Sequence, residues 1–492
     1  MRTSGILMPI SCLPSPYGIG SLGKEAYHFI DFLKKSGQHY WQILPIGPTS
    51  YGDSPYQSFS AFAFNPYFID LDMLIEEGLL TKEEVAGINW GDNKNQVGYL
   101  NLFENRFTVL RKAVNRLSDS VAGFAAFKES NADWLHDYAL YMAVKSENGM
   151  RAFNTWPEPL RQRQPEALAH AEIRLTPEVN FWSSIQYLFF RQWVKLKTYA
   201  NENGVYFIGD IPIYVSPDSS DLWAHSELFQ VDENKNATEV AGCPPDAFSS
   251  DGQLWGNPLY NWSYHQKTGY DWWIRRLKYA GSIYDVVRID HFRGFAGYYS
   301  IPAQNKTAAG GIWRRGPGLD LIRVIKEKLP GILIIAEDLG YLTDDVKNLL
   351  AQSGFPGMKV LQFAFDSREA GDYLPHNYSR NSVVYTGTHD NTTTRDWQYS
   401  APAEDVAFAK EYLNINEHTD FTYSFIRAAL GSVCDTAIIP IQDWLRLGKE
   451  ARINTPSTLG GNWVWRMPAD ALTPELSAVI YRFTQMFGRL TP

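Results

Sequence analysis

Val286-Val287-Arg288-Ile289-Asp290-His291-Phe292-Arg293-Gly294 is the stretch from which the rest of the chain is read. It begins as a β-branched apolar run, the signature of a strand buried on both faces. Two arginines, an aspartate and a histidine then fall within six positions, and a glycine closes the run. Buried charge is costly unless paired, so the cluster is either a structural ion-pair network or a catalytic carboxylate, Asp290, held ionised by Arg288. Two further stretches have the same form and favour chemistry: Leu333-Ile334-Ile335-Ala336-Glu337-Asp338, and Val383-Val384-Tyr385-Thr386-Gly387-Thr388-His389-Asp390-Asn391. Each is an apolar strand that ends in acid.

Working outward, strand and helix patterns alternate. Eight strands are expected, centred near Ile43, Phe68, Ile208, Val287, Ile334, Leu361, Val384 and Ile438. Parallel strands joined by crossover helices predict a (β/α)8 barrel, in which chemistry sits at the C-terminal strand ends. The whole chain, 1–492, reads as one such barrel with two insertions. Residues 74–176 carry helical patterns and read as a helical subdomain. Residues 216–269 lack strong periodicity, and loops that long are usually lids or binding loops. The formal G-x-G-x-x-G at Gly18–Gly23 is not a dinucleotide site, because Pro14-Ser15-Pro16-Tyr17 cannot supply the strand that must precede it.

Composition narrows the function classes. Net charge is −9 without blocks of one sign, which argues against nucleic acid or an anionic membrane as partner. No apolar run approaches the ~20 residues of a membrane span, and Pro9 breaks the N-terminus too early for a secretory segment. Three widely spaced cysteines, Cys12, Cys243 and Cys434, suggest neither disulfides nor zinc and fit the cytoplasm. Aromatic residues make up 14%, with 16 Trp and 28 Tyr. Beside polar motifs, that excess suits a sugar cleft.

Acids from three strand ends of one barrel converge on one pocket. Two carboxylates in split roles, nucleophile and acid/base, are what retaining glycoside hydrolysis or transfer requires. A third acid with nearby histidines can stabilise the charged transition state.

The motifs are similar to those of a known family. Asp210-Ile211-Pro212, Arg288-Ile289-Asp290-His291, Ala336-Glu337-Asp338 and Gly387-Thr388-His389-Asp390-Asn391 resemble the four ordered signature regions of the α-amylase clan. Ser54 through Ala61, Gly242 through Pro258, Asp290 through Phe295 and Gly461-Asn462-Trp463 resemble one branch of it, the amylomaltases or 4-α-glucanotransferases of glycoside hydrolase family 77. The resemblance runs from about residue 4 to 468. It implies a retaining glucan transferase with Asp290 as nucleophile, Glu337 as general acid/base and Asp390 as transition-state stabiliser. It implies that Asp210, Arg288, His291 and His389 bind the sugar at the cleavage point, and that Ser54, Tyr56, Gln57, Asp246, Trp255 and Asn454 line donor and acceptor subsites. Tyr56 and Trp255 could instead be packing, and Asp246 could cap a turn. Ala247-Phe248 stands where relatives often carry two aromatics, which bears on the lid's grip on glucan. The expected substrates are a maltodextrin donor and a glucose or glucan acceptor, with no cofactor, no metal and a monomeric chain. Transfer rather than hydrolysis is favoured by the long lid, which would exclude water.

Overall fold

The computed structural model describes residues 2–117, 123–245, 251–340, 342–366 and 371–491. In chain order the strands are β1 (Thr3–Leu7), β2 (Tyr40–Gln42), β3 (Tyr206–Ile211), β4 (Glu239–Cys243), β5 (Gln253–Pro258) and β6 (Val286–Ile289). After these come β7 (Gly297–Pro302), β8 (Ile312–Arg315), β9 (Ile334–Ala336), β10 (Gly357–Val360), β11 (Ser382–Tyr385) and β12 (Thr436–Pro440). Eight of them close a barrel in the order β1-β12-β11-β10-β9-β6-β3-β2, and every neighbouring pair is parallel. Leu7, Ile208, Val286, Ile335, Met358, Val383 and Ile438 fill the interior and are buried. Burial of a side chain of this size contributes about 1.5–3 kcal/mol.

Two expected strands differ: the one centred near Leu361 lies earlier, at β10, with Leu361–Phe363 forming a 3-10 turn after it, and the one near Phe68 was misplaced. The buried apolar run at Phe64–Leu71 is not extended. Pro66–Phe68 forms a 3-10 turn, with the Asn65 side chain accepting from the Tyr67 amide, and Asp70 then caps the helix Leu71–Glu76. Proline removes a ladder donor and asparagine offers the backbone a local partner, so hydrophobicity alone misled. The barrel takes Thr3–Leu7 instead. That strand is inconspicuous because Gly5 interrupts its pattern. A Cβ there would lie 2.5 Å from the Tyr40 carbonyl oxygen and 2.8 Å from Ile438 Cδ1, so glycine lets β1 fit between its neighbours.

The described residues of 74–176 form mainly helices, the longest being Tyr99–Arg116 and Leu135–Glu147. The latter packs along the 27-residue helix Thr176–Glu202, which precedes β3. The described residues of 216–269 carry more regular structure than their aperiodic sequence suggests. Its β4 and β5 join β7 and β8 in a four-stranded antiparallel sheet of order β5-β4-β7-β8. Two short helices, Ser220–Ala224 and Trp262–Lys267, flank it. Among the described residues, no helix is long and apolar enough to cross a membrane.

Candidate active site

Parallel register builds the first ion pair. β3 and β6 align Asp210 with Arg288, so the two side chains leave adjacent strands side by side. Arg288 Nη1 donates to both carboxylate oxygens of Asp210 at 2.7 and 2.6 Å and lies 3.2 Å from Asp290 Oδ1. Arg288 Nε points to Met358 Sδ at 3.3 Å. Both members of the Asp210–Arg288 pair are buried, and Tyr56 Oη donates to Asp210 Oδ2 at 2.7 Å. Removing either charge would strand the other in low dielectric, a loss of about 3–5 kcal/mol.

Asp290 and Glu337 meet at the mouth. β6 ends at Ile289, and the next strand end in the barrel is β9. The Glu337 amide donates to the Ile289 carbonyl, and the Phe292 amide donates back to the Glu337 carbonyl, each at 3.0 Å. His291, the residue between Asp290 and Phe292, has φ 53°, a left-handed conformation that is uncommon for a non-glycine residue. Its amide, the one that follows Asp290 directly, donates to Glu337 Oε2 at 2.7 Å, and the Leu339 amide donates to Oε1 at 2.7 Å. The two acids therefore share one chamber. Asp338, the adjacent acid, turns away and accepts from the Met358 amide at 2.6 Å, tying β9 to β10.

Asp390 follows β11 on a loop shaped by its own polar residues. Asn391 Oδ1 accepts from the amide and the hydroxyl of Thr388, and Thr388 Oγ1 accepts from the Asp390 amide. Asn454 Nδ2 donates to Asp390 Oδ1 at 2.6 Å, and His389 Nε2 lies 3.4 Å from the same oxygen. Arg452 spans the loop, donating to the carbonyls of Asp390 at 2.9 Å and Asn454 at 2.7 Å. Aromatic rings line the flanks. Tyr56 stacks on His389 with centroids 5.1 Å apart and planes 17° from parallel, with Trp463 5.9 Å from Tyr56. On the opposite flank Trp255 meets His291 edge-on at 4.8 Å.

Burial sets the protonation states. Desolvation lifts the carboxyls of both Asp290 and Glu337 above the ordinary range. Arg288 opposes that rise on both, while neighbouring acids add to it on both; for Glu337 two backbone amides oppose it as well. Burial pushes His291 down to about 3 and lowers His389, so both imidazoles are neutral at neutral pH. They can then donate to or accept from sugar hydroxyls according to tautomer.

The expected residues are largely brought together. Asp210, Arg288, Asp290, His291, Glu337, His389, Asp390 and Tyr56 form one connected cluster, with Trp255 at its edge. Three others differ in their contacts. Asn454 is bonded to Asp390. Gln57 Nε2 donates to Asn257 Oδ1 at 3.2 Å, pinning the loop to β5. Ser54 Oγ accepts from the Tyr56 amide at 3.3 Å. Asp246 and the Ala247-Phe248 pair lie outside the described residues. Arg452 and Met358 were not anticipated. Arg452 stands alone in an aperiodic loop, and Met358 is an apolar residue in an apolar strand, so no sequence pattern marks either.

A closed parallel barrel with Asp210, Asp290 and Glu337 around one guanidinium, and Asp390 beside them on the β11 loop, defines a (β/α)8-barrel enzyme. Residues 8–473 match the family described as 4-alpha-glucanotransferase, glycoside hydrolase family 77, and the chain belongs to that family. It is 50% identical over 485 residues to the 4-alpha-glucanotransferase of Clostridium butyricum, covering 98% of this chain and 100% of that one. It is 45% identical over 501 residues to the enzyme of that name from Thermus thermophilus, covering 99% of each. The solved amylomaltase from Streptococcus agalactiae in complex with acarbose superimposes with a TM-score of 0.97 at 42% identity, over 100% of both chains.

Proposed function

We propose that this enzyme moves α-1,4-glucan segments from a donor maltodextrin to the 4-hydroxyl of glucose or another glucan, by retaining double displacement on Asp290. The observation that carries the reading is the bond from the amide after Asp290 to Glu337 Oε2, beside an Arg288 contact on Asp290. A nucleophile and an acid/base facing one sugar need this shared chamber.

In the first half-reaction Glu337 gives its proton to the glycosidic oxygen. Asp290 attacks the anomeric carbon, the C–O bond breaks, and the leaving glucan departs with a free 4-hydroxyl. In the second, the carboxylate of Glu337 takes the proton from the acceptor 4-hydroxyl. That oxygen attacks the anomeric carbon and the bond to Asp290 breaks, so configuration is retained. Asp390 lies against the charge that develops on the sugar, held by Asn454 and, through the loop backbone, by Arg452. Tyr56, Asp210, Arg288, His291 and His389 grip the reacting ring, and Trp255 contacts the glucan beside it. The sheet-bearing segment 216–269 acts as the lid that keeps water from the covalent intermediate. Three cysteines, none of them in a disulfide, fit a cytoplasmic setting.

Product analysis on maltotriose tests transfer against hydrolysis. Glucose together with maltopentaose and longer maltodextrins is expected. Glucose and maltose alone would make the chain a hydrolase.

A further inference from the structure

β8, the far edge of the four-stranded sheet, is unusual in its exposure. All four of its residues, Ile312-Trp313-Arg314-Arg315, are exposed, including 45% of Trp313. An open sheet edge is a liability, and two arginines on it guard against pairing with other chains. A single exposed apolar ring is ordinary on a protein surface; what distinguishes Trp313 is the way it is held.

Trp313 is also held in place. The Arg293 guanidinium sits 4.2 Å from its ring centroid, and Tyr299, its cross-strand partner on β7, meets it edge-on at 5.3 Å. A ring fixed on one side and open to solvent is a preformed platform, with little entropy left to lose on binding. Its anchor leads back to the site. Arg293 belongs to the 3-10 turn Phe292–Phe295, which starts two residues after Asp290 and is bonded to the Glu337 carbonyl through the Phe292 amide. The carboxylate of Glu337 is close enough to act on the Arg293 charge. The end of β8 is tied to the same turn, since the Gly316 amide donates to the Ala296 carbonyl and the Gly318 amide to the Phe295 carbonyl.

This places Trp313 on the acid/base side of the cleft. Glu337 handles the oxygen that joins the reacting sugar to its leaving or incoming partner, so that side is where an acceptor chain runs. We propose that Trp313, held by Arg293 and Tyr299, is a stacking platform for a distal glucosyl unit of the acceptor glucan, so that it sets preference for longer acceptors. The proposal rests on the glucan-transfer reading and adds a binding position to it.

The test uses the full chain with Trp313→Ala and Trp313→Phe, and acceptors from glucose to maltoheptaose. With Trp313→Ala, kcat/KM for glucose as acceptor stays at the wild-type value, while that for the longest acceptors falls about 5–10-fold, the size of one lost stacking contact. Trp313→Phe keeps most of the preference. Unchanged length dependence in Trp313→Ala overturns the proposal. Calorimetric binding of maltoheptaose to Asp290→Asn protein, with and without Trp313→Ala, reads the platform without turnover. About tenfold weaker binding is expected, and an unchanged Kd overturns the proposal even if transfer itself is sound. Failure of the transferase reading would show separately, as a wild-type enzyme that makes no longer maltodextrins.

Discussion

Asp290→Asn lowers transfer from maltotriose by about 10⁴-fold or more while the barrel stays folded, because the substitution removes the attacking oxygen's charge but no volume. Asparagine still accepts from Arg288, and Arg288 keeps its two bonds to Asp210, so no buried cation is orphaned. Stability should move the other way. Burial raises the Asp290 and Glu337 carboxyls together, so the folded pair keeps a proton, carried by Glu337 when Asp290 attacks, that the unfolded chain releases above about pH 4. The stability linked to that proton is complete below about pH 4 and is lost as pH rises through the folded value. Asparagine places no second negative charge beside the ionised Glu337, so the variant loses less. Its Tm advantage over wild type should be larger at pH 8 than at pH 5, as thermal unfolding at both values would report. More than about 1% residual activity, well above the loss of ~10⁴ expected for a missing nucleophile, would move the nucleophile elsewhere.

Glu337→Gln should cost about 10²–10⁴-fold on maltotriose, and the loss depends on the leaving group. With α-glucosyl fluoride, fluoride departs without a proton, so the first step survives and the glucosyl-enzyme accumulates. Mass spectrometry should then find one glucosyl unit on the peptide that carries Asp290. Azide, which needs no base, should restore turnover and yield α-glucosyl azide. The raised Glu337 carboxyl puts the basic limb of the wild-type pH–rate profile on the neutral side of an ordinary glutamate. That limb should vanish for the variant acting on the fluoride. Unlike Asp290→Asn, this variant is expected to lose stability. Glutamine presents one oxygen where two amides, of His291 and Leu339, each donate at 2.7 Å, so one donor meets an NH2 group. The cost is about 1–3 kcal/mol. A fluoride reaction as slow as that on maltotriose would remove Glu337 from the acid/base role.

The local sequence was enough to read the barrel and its three acids. A strand buried on both faces must be apolar, so charge at its end stands out: β6 and β9 are each followed directly by an acid, and β11 by one in the loop after it. Phe68 shows the limit of that reading. Its run is as apolar as a strand, but Pro66 and Asn65 turned it into a 3-10 helix, and the real strand at Thr3–Leu7 was hidden by a glycine whose value is only steric. Ser54, Gln57 and Asn454 show another. The side-chain type says that such a residue can hydrogen-bond, not with what, and here their partners are Tyr56, Asn257 and Asp390.

By itself the sequence determined the alternation of buried strands and helices, and the acids at their ends, because burial and charge are properties of each residue and its near neighbours. The tertiary structure alone decided that Asp210 faces Arg288 across a parallel register, that Glu337 is bonded beside Asp290, that Arg452 clamps the Asp390 loop, and that Trp313 is fixed against Arg293. These relations join positions tens of residues apart. They depend on strand order and loop path, which emerge only when the barrel closes.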